Sequence, residues 1–134
     1  IAGAYLEGVG ANVFQGSASI YQYNGANCVL MQKITDVNGA TGYQFGFSVA
    51  ISGNYAIAGA YGEDVGGNVD QGSSTLYQRV GLGWQKLQYV TDPGGNADDH
   101  AGVSVAMDGN NKRFIIGANG FGSNSGKAIF GKIN

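Results

Sequence analysis

An all-β fold of repeated four-stranded sheets, the blades of a β-propeller, is predicted by three features of the sequence. These are its glycine and aromatic content, a repeat of 56 residues, and four short strand-like runs inside each repeat. Glycine contributes 25 residues and proline one, with 8 Tyr and 6 Phe, so tight turns and β-favouring aromatics dominate. Charged residues make up 12% and the formal net charge is −2, which leaves no electrostatic footprint for nucleic acid or an anionic membrane surface. No apolar run approaches the roughly 18 residues of a membrane-spanning helix. The single cysteine, Cys28, cannot form an internal disulfide. No basic-then-apolar leader precedes Ile1, so a secretion signal is expected to have been removed or to lie outside this segment.

The repeat organises the rest. A shift of 56 residues lays Ile1-Ala2-Gly3-Ala4-Tyr5 on Ile57-Ala58-Gly59-Ala60-Tyr61 and Gln15-Gly16-Ser17 on Gln71-Gly72-Ser73. It also brings Tyr21-Gln22 onto Tyr77-Gln78, Thr35-Asp36 onto Thr91-Asp92, and Ser48-Val49-Ala50 onto Ser104-Val105-Ala106. A third copy starts at Ile115-Ile116-Gly117-Ala118 after a two-residue insertion.

Within one period four strands, A to D, are bounded by Gly, Asn and Asp clusters. Strand A is predicted at 47–51 and strand B at 55–60, joined by Ser52-Gly53-Asn54, whose Gly and Asn suit a tight hairpin. Strand C is predicted at 73–79 and strand D at 84–90, joined by a Gly-rich turn. A and B carry Ala50, Ala56, Ala58 and Ala60, small residues that suit inner strands covered on both faces. C and D mix polar and apolar residues, so they are expected outside with one wet face. Trp84 aligns with Cys28, and both are expected to fill apolar space at the start of strand D. The glycine shared by Gly3, Gly59 and Gly117 inside strand B points to a close approach of another backbone.

Counting strands divides this single partial propeller into 1–46 with B, C and D, 47–102 with all four, and 103–134 with A, B and C. The ends together hold six strands rather than one blade, so the chain is expected to be part of a longer ring whose remaining blades are its first partners.

Phe45-Gly46-Phe47-Ser48-Val49-Ala50-Ile51, followed by Ala56-Ile57-Ala58-Gly59-Ala60-Tyr61, resembles the FG-GAP repeat, most closely the bacterial type, with the integrin α-subunit propeller as a relative. Ala101-Gly102 replaces the Phe-Gly pair in the next copy, and Tyr61 and Asn119 stand where the family motif has Pro. The resemblance implies two to three blades of a ring of about seven, an extracellular or cell-surface location, and a role in adhesion or ligand binding, with lectins among its relatives. Many integrin-type repeats carry a calcium loop between strands A and B. Here that link is only Ser52-Gly53-Asn54, too short to supply the roughly six oxygens Ca²⁺ takes, and the later link, 108–113, holds one carboxylate and two cations. No metal site or cofactor is therefore expected, calcium being the one alternative.

In such a ring the B to C and D to A links emerge on the binding face. The candidate ligand residues are Tyr61, Glu63, Asp64 and Asp70 in one link and Asp98, Asp99 and His100 in the other. Carboxylate and imidazole can both ligate a cation, yet the counterpart of Asp98-Asp99-His100 is Gly42-Tyr43-Gln44, with no ligand set, so a solvated polar loop is the simpler account. Tyr5 and Tyr61 can stack on a sugar ring or pack between blades. One His, one Cys and no nucleophile motif argue against catalysis. The sequence is thus expected to encode a noncatalytic recognition or adhesion scaffold for a glycan or surface protein. A self-assembling matrix component and an accessory propeller of a secreted enzyme are the alternatives.

Overall fold

The structure, a computed structural model, describes residues 1–120 and 125–134. Its described strands are β1 (Ala2–Ala4), β2 (Ser17–Tyr23), β3 (Cys28–Ile34), β4 (Val49–Ser52), β5 (Tyr55–Ala60), β6 (Ser73–Val80), β7 (Gly83–Val90), β8 (Ser104–Asp108), β9 (Arg113–Ala118) and β10 (Lys127–Lys132). They form three antiparallel sheets in the orders β1-β2-β3, β4-β5-β6-β7 and β8-β9-β10. The first sheet holds strands B, C and D, the second all four, and the third A, B and C. None of the described helices is long and apolar enough to cross a membrane, since the described residues form none.

Local chemistry accounts for the hairpins. Ser52 pairs with Tyr55 and Val80 with Gly83, leaving two-residue turns that begin with Gly53 at φ 58° and Gly81 at φ 62°. Glycine first at positive φ is the pattern of a II′ hairpin turn, whose twist matches that of its strands. A bulge recurs at Ile20/Tyr21 and at Leu76/Tyr77, one repeat apart.

The second and third sheets meet through their inner strands, β4 and β5 against β8, and the first and second touch through their outer strands, β3 and β7. Antiparallel sheets stacked on one another in this way are the blades of a propeller. Along β5 the residues alternate between two interfaces. Ala56, Ala58 and Ala60 pack toward the first sheet with Phe45, while Ile57 packs toward the third with Phe114 and Ile116. The large ring changes sides between the two cores: Phe45 from the link lies with small Ala56 and Ala58 of strand B, and small Ala101 from the next link lies with Phe114 and Ile116.

Glycine in strand B is required by the crossing. A Cβ on Gly59 would sit 2.1 Å from the carbonyl oxygen of Gly102, and one on Gly3 would overlap that of Gly46. The backbones are joined at these points: Gly46 N–H donates to Gly59 O at 2.9 Å, and Gly102 N–H donates to Gly117 O at 3.0 Å.

Three expectations are corrected. Strand A begins at Val49 rather than Phe47, because Phe47 N–H turns back to Gln44 O at 3.1 Å and Gly59 O at 3.2 Å. Strand C has no wet face over its first half: Ser73 to Tyr77 are all buried, since the middle of the second sheet is covered on both sides, and exposure begins at Gln78. Trp84 is a filler at 7% exposure, but Cys28 is exposed, because no described sheet packs on its side of the first sheet.

Outer strands are tied by an amide. Gln32 accepts from Trp84 N–H at 2.7 Å and donates to Trp84 O at 3.0 Å. Its counterpart one repeat on, Gln88, has a buried amide oxygen with no hydrogen-bond partner among the described residues.

Candidate functional site

The rim formed by the B to C and D to A links is held by two copies of one hydrogen-bond pattern. Asn68 Nδ2 donates to Gln71 Oε1 at 2.9 Å and to Gly95 O at 3.1 Å, and Gln71 Nε2 donates to Asp92 O at 2.8 Å. Asn12, Gln15, Asp36 and Gly39 repeat it one period earlier. The repeated Gln-Gly-Ser word is therefore a clip between links that are about twenty residues apart in sequence.

The clip zips the two links by backbone bonds. Asp98 N–H donates to Val69 O at 2.9 Å, His100 N–H to Asp70 O at 3.1 Å, and Ala101 N–H to Gln71 O at 2.9 Å. Asp70, Asp98 and His100 are thereby brought together, one ligand atom of each lying within 4.8 Å of the others. All three sit at positive φ, 51°, 61° and 56°, where Asp, Asn and His are the best tolerated side chains after glycine. In the first copy the same backbone positions carry Phe14, Gly42 and Gln44, also at positive φ. One scaffold thus presents different side chains from copy to copy.

Beside this group runs a row of rings. Tyr5 meets Phe47 edge-on at 5.0 Å between centroids, Phe47 meets Tyr61 at 4.5 Å, and Tyr61 meets His100 at 5.4 Å. The row crosses from the first repeat to the links leading into the third, and His100 Nδ1 lies 3.2 Å from Asn119 Oδ1. Tyr5 and Phe47 are more than a third exposed, and Tyr61 and His100 are half-buried. Phe47 is not among the candidates the sequence offers, because the strand pattern places it in strand A. The signal was its place just after a glycine that must turn.

Tyr61, Asp70, Asp98 and His100 therefore share one face, with Asp64 at its margin, exposed and accepting from Asp70 N–H at 3.0 Å. Asp70, Asp98 and His100 are the described residues that could hold a cation. Glu63 and Asp99 are engaged inside. Asp99 is buried, accepts from Asn96 N–H at 2.8 Å, and pairs with Lys127 at 2.8 Å. The Lys127 hydrogen bond, reinforced by that from Asn96, holds its carboxyl below the usual range.

Glu63 accepts hydrogen bonds from the Ser73 hydroxyl and, at 2.7 Å, from Tyr89. The first copy has the same carboxylate-serine pair, Glu7 with Ser17, but there Lys33 stands in place of Tyr89 and supplies a positive charge. Without that cation, burial raises the Glu63 carboxyl above its ordinary value, against the two hydrogen bonds that favour the anion. A carboxyl whose folded value is raised binds its proton more tightly when folded, so its contribution to stability is full below the unfolded value and falls as pH rises through the raised one. Wild type is therefore expected to lose melting temperature relative to Glu63→Gln as pH rises above the ordinary glutamate value of about 4.3. A thermal-melt series on both proteins checks this, and a difference independent of pH contradicts it.

Stacked antiparallel sheets with strands in the order A-B-C-D, joined at one rim that carries variable side chains on a constant backbone, define a propeller-type module. Residues 29–77, from the first outer strand to the middle of strand C in the second sheet, match the family model of the FG-GAP repeat. This stretch of the chain therefore carries an FG-GAP repeat. No curated protein matches it at a significant level.

Proposed function

We propose that the chain is a noncatalytic module, extracellular or at the cell surface, that binds a carbohydrate on the rim formed by the B to C and D to A links. The observation that carries this is the ring row Tyr5, Phe47, Tyr61, His100 ending beside two carboxylates, Asp70 and Asp98. A sugar ring offers one apolar C–H face and a periphery of hydroxyls. Half-open aromatics suit the face, and carboxylates that accept hydrogen bonds suit adjacent hydroxyls.

A glycan array followed by titration of the best ligand tests it. Tyr61→Ala is expected to weaken binding about tenfold or more, the equivalent of one lost stacking contact of about 1.4 kcal/mol. Tyr61→Phe keeps the ring and is expected to bind within about threefold of wild type. A protein that binds no glycan, or one that binds equally with Ala at position 61, overturns the proposal.

A second proposal concerns partners. Phe130 is 77% exposed on the third sheet, and Val29 and Leu30 are exposed on the first. Further blades of the same repeat, in the same protein or in a second copy, suit these apolar faces.

A further inference from the structure

At the end of the blades opposite the aromatic rim, a cleft of about 240 Å³ opens between the first and second sheets. Apolar Ile20, Met31, Ile51 and Trp84 line it together with Arg79 and Gln22. Trp84 is otherwise a core residue at 7% exposure, so its contribution to the cleft is a rigid apolar surface. Arg79 lies at the end of β6, where the chain turns into β7.

The cation in this cleft has no anionic partner among the described residues. Each described salt bridge uses a lysine. The Arg79 guanidinium makes only long hydrogen bonds, from Nε to Gly81 O at 3.3 Å and from Nη2 to Gln22 Oε1 at 3.4 Å. Five N–H donors in a planar fork are thus presented at the cleft with no carboxylate of the described residues paired to them. The repeat does not demand either special residue. Position 79 corresponds to Tyr23 in the first copy and position 84 to Cys28, while the strands around them superpose in register. The hairpin thus forms with Tyr and Cys at these positions, so Arg79 is not demanded by the turn, while Trp84 also packs in the core between the first and second sheets.

We propose that this cleft binds a small organic acid with an aromatic body, the carboxylate paired with Arg79 and the ring set against Trp84, Met31 and Ile51. The volume selects the size, since drug-sized ligands take pockets of about 300–1,000 Å³ and this cleft admits roughly one ring with its acid group. Charge selects the headgroup, because a guanidinium engages a carboxylate through two parallel hydrogen bonds, which a hydroxyl or amide cannot match. The site shares no residue with the aromatic rim, so it stands or falls apart from carbohydrate binding.

Trp84 is the sole tryptophan of the chain, so its fluorescence reports the cleft directly. The experiment titrates the intact chain with phenylacetate, and in parallel with 2-phenylethanol, which has the same ring and no charge. Phenylacetate is expected to shift or quench the Trp84 emission saturably with a midpoint on the order of 1 mM, as befits so small a ligand. The alcohol is expected to bind at least about tenfold more weakly, the loss of one charge-assisted pair. In Arg79→Gln the two compounds are expected to bind alike, with an unchanged melting temperature showing that the cleft persists. No saturable change with phenylacetate overturns the proposal, as does equal binding of acid and alcohol to wild type, and the latter comparison needs no variant to fold.

Discussion

Gly59→Ala is expected to destabilise the protein by about 3 kcal/mol or more, lowering its melting temperature by about 10 °C. The added Cβ would lie 2.1 Å from the Gly102 carbonyl oxygen and 2.7 Å from the Ser48 hydroxyl. Backbone on the far side cannot rotate away as a flexible side chain can. Relief requires the Gly102 segment that leads into β8 to move off β5, where Gly59 O is itself held by N–H groups from Gly46 and Phe47, at 2.9 and 3.2 Å. Gly8→Ala is the control, since its Cβ would find its nearest neighbour at 3.7 Å and its φ is not left-handed. Thermal or denaturant unfolding of the two variants measures the contrast. Equal stability would show that the inner strands do not cross as closely as the structure has them.

Phe45→Ala is expected to cost about 3 to 5 kcal/mol, the usual range for emptying a buried aromatic site. Phe45 is 1% exposed and meets Tyr77 edge-on at 6.4 Å. The neighbouring interface bears on how that cavity can be refilled. There the same position is Ala101, also 1% exposed, and Phe114 from strand B occupies the space instead. Phe114 aligns with Ala56, so Phe45→Ala combined with Ala56→Phe is expected to be more stable than Phe45→Ala alone. Denaturant unfolding of the single and double variants measures the coupling, and additive losses would show that the two interfaces fill their volume differently.

The strands were legible in the sequence because each is short, bounded by turn residues and copied once. Strand B, at 55–60, was read with both of its ends in place, since Asn54 before it and the glycine that follows Tyr61 mark the chain reversals. Burial was less legible. Ser73, Ser74 and Thr75 read as polar and wet, yet they are buried because sheets cover both sides of β6, a tertiary fact that overrides alternation. The candidate site was half legible. The two links were identified and five of the seven named residues lie on the rim, but nothing local shows that Asp70 would meet His100, thirty positions on. That meeting depends on the Gln71 clip and the backbone bonds that follow it. Glu63 and Asp99 look like their exposed acidic neighbours in one dimension, and only their distant partners, Tyr89 and Lys127, withdraw them from the surface.

The amide of Gln32 gives the stack a sense of direction. It reaches forward to the backbone of the next blade's outer strand and engages a donor and an acceptor there at once, a match that a reversed or displaced neighbour does not offer. Mispairing leaves a polar atom stranded at a cost of about 1–3 kcal/mol, and the oxygen of Gln88 stands in that condition now. Gln32 therefore favours one orientation and register of the second blade on the first, through a side chain remote from the aromatic rim.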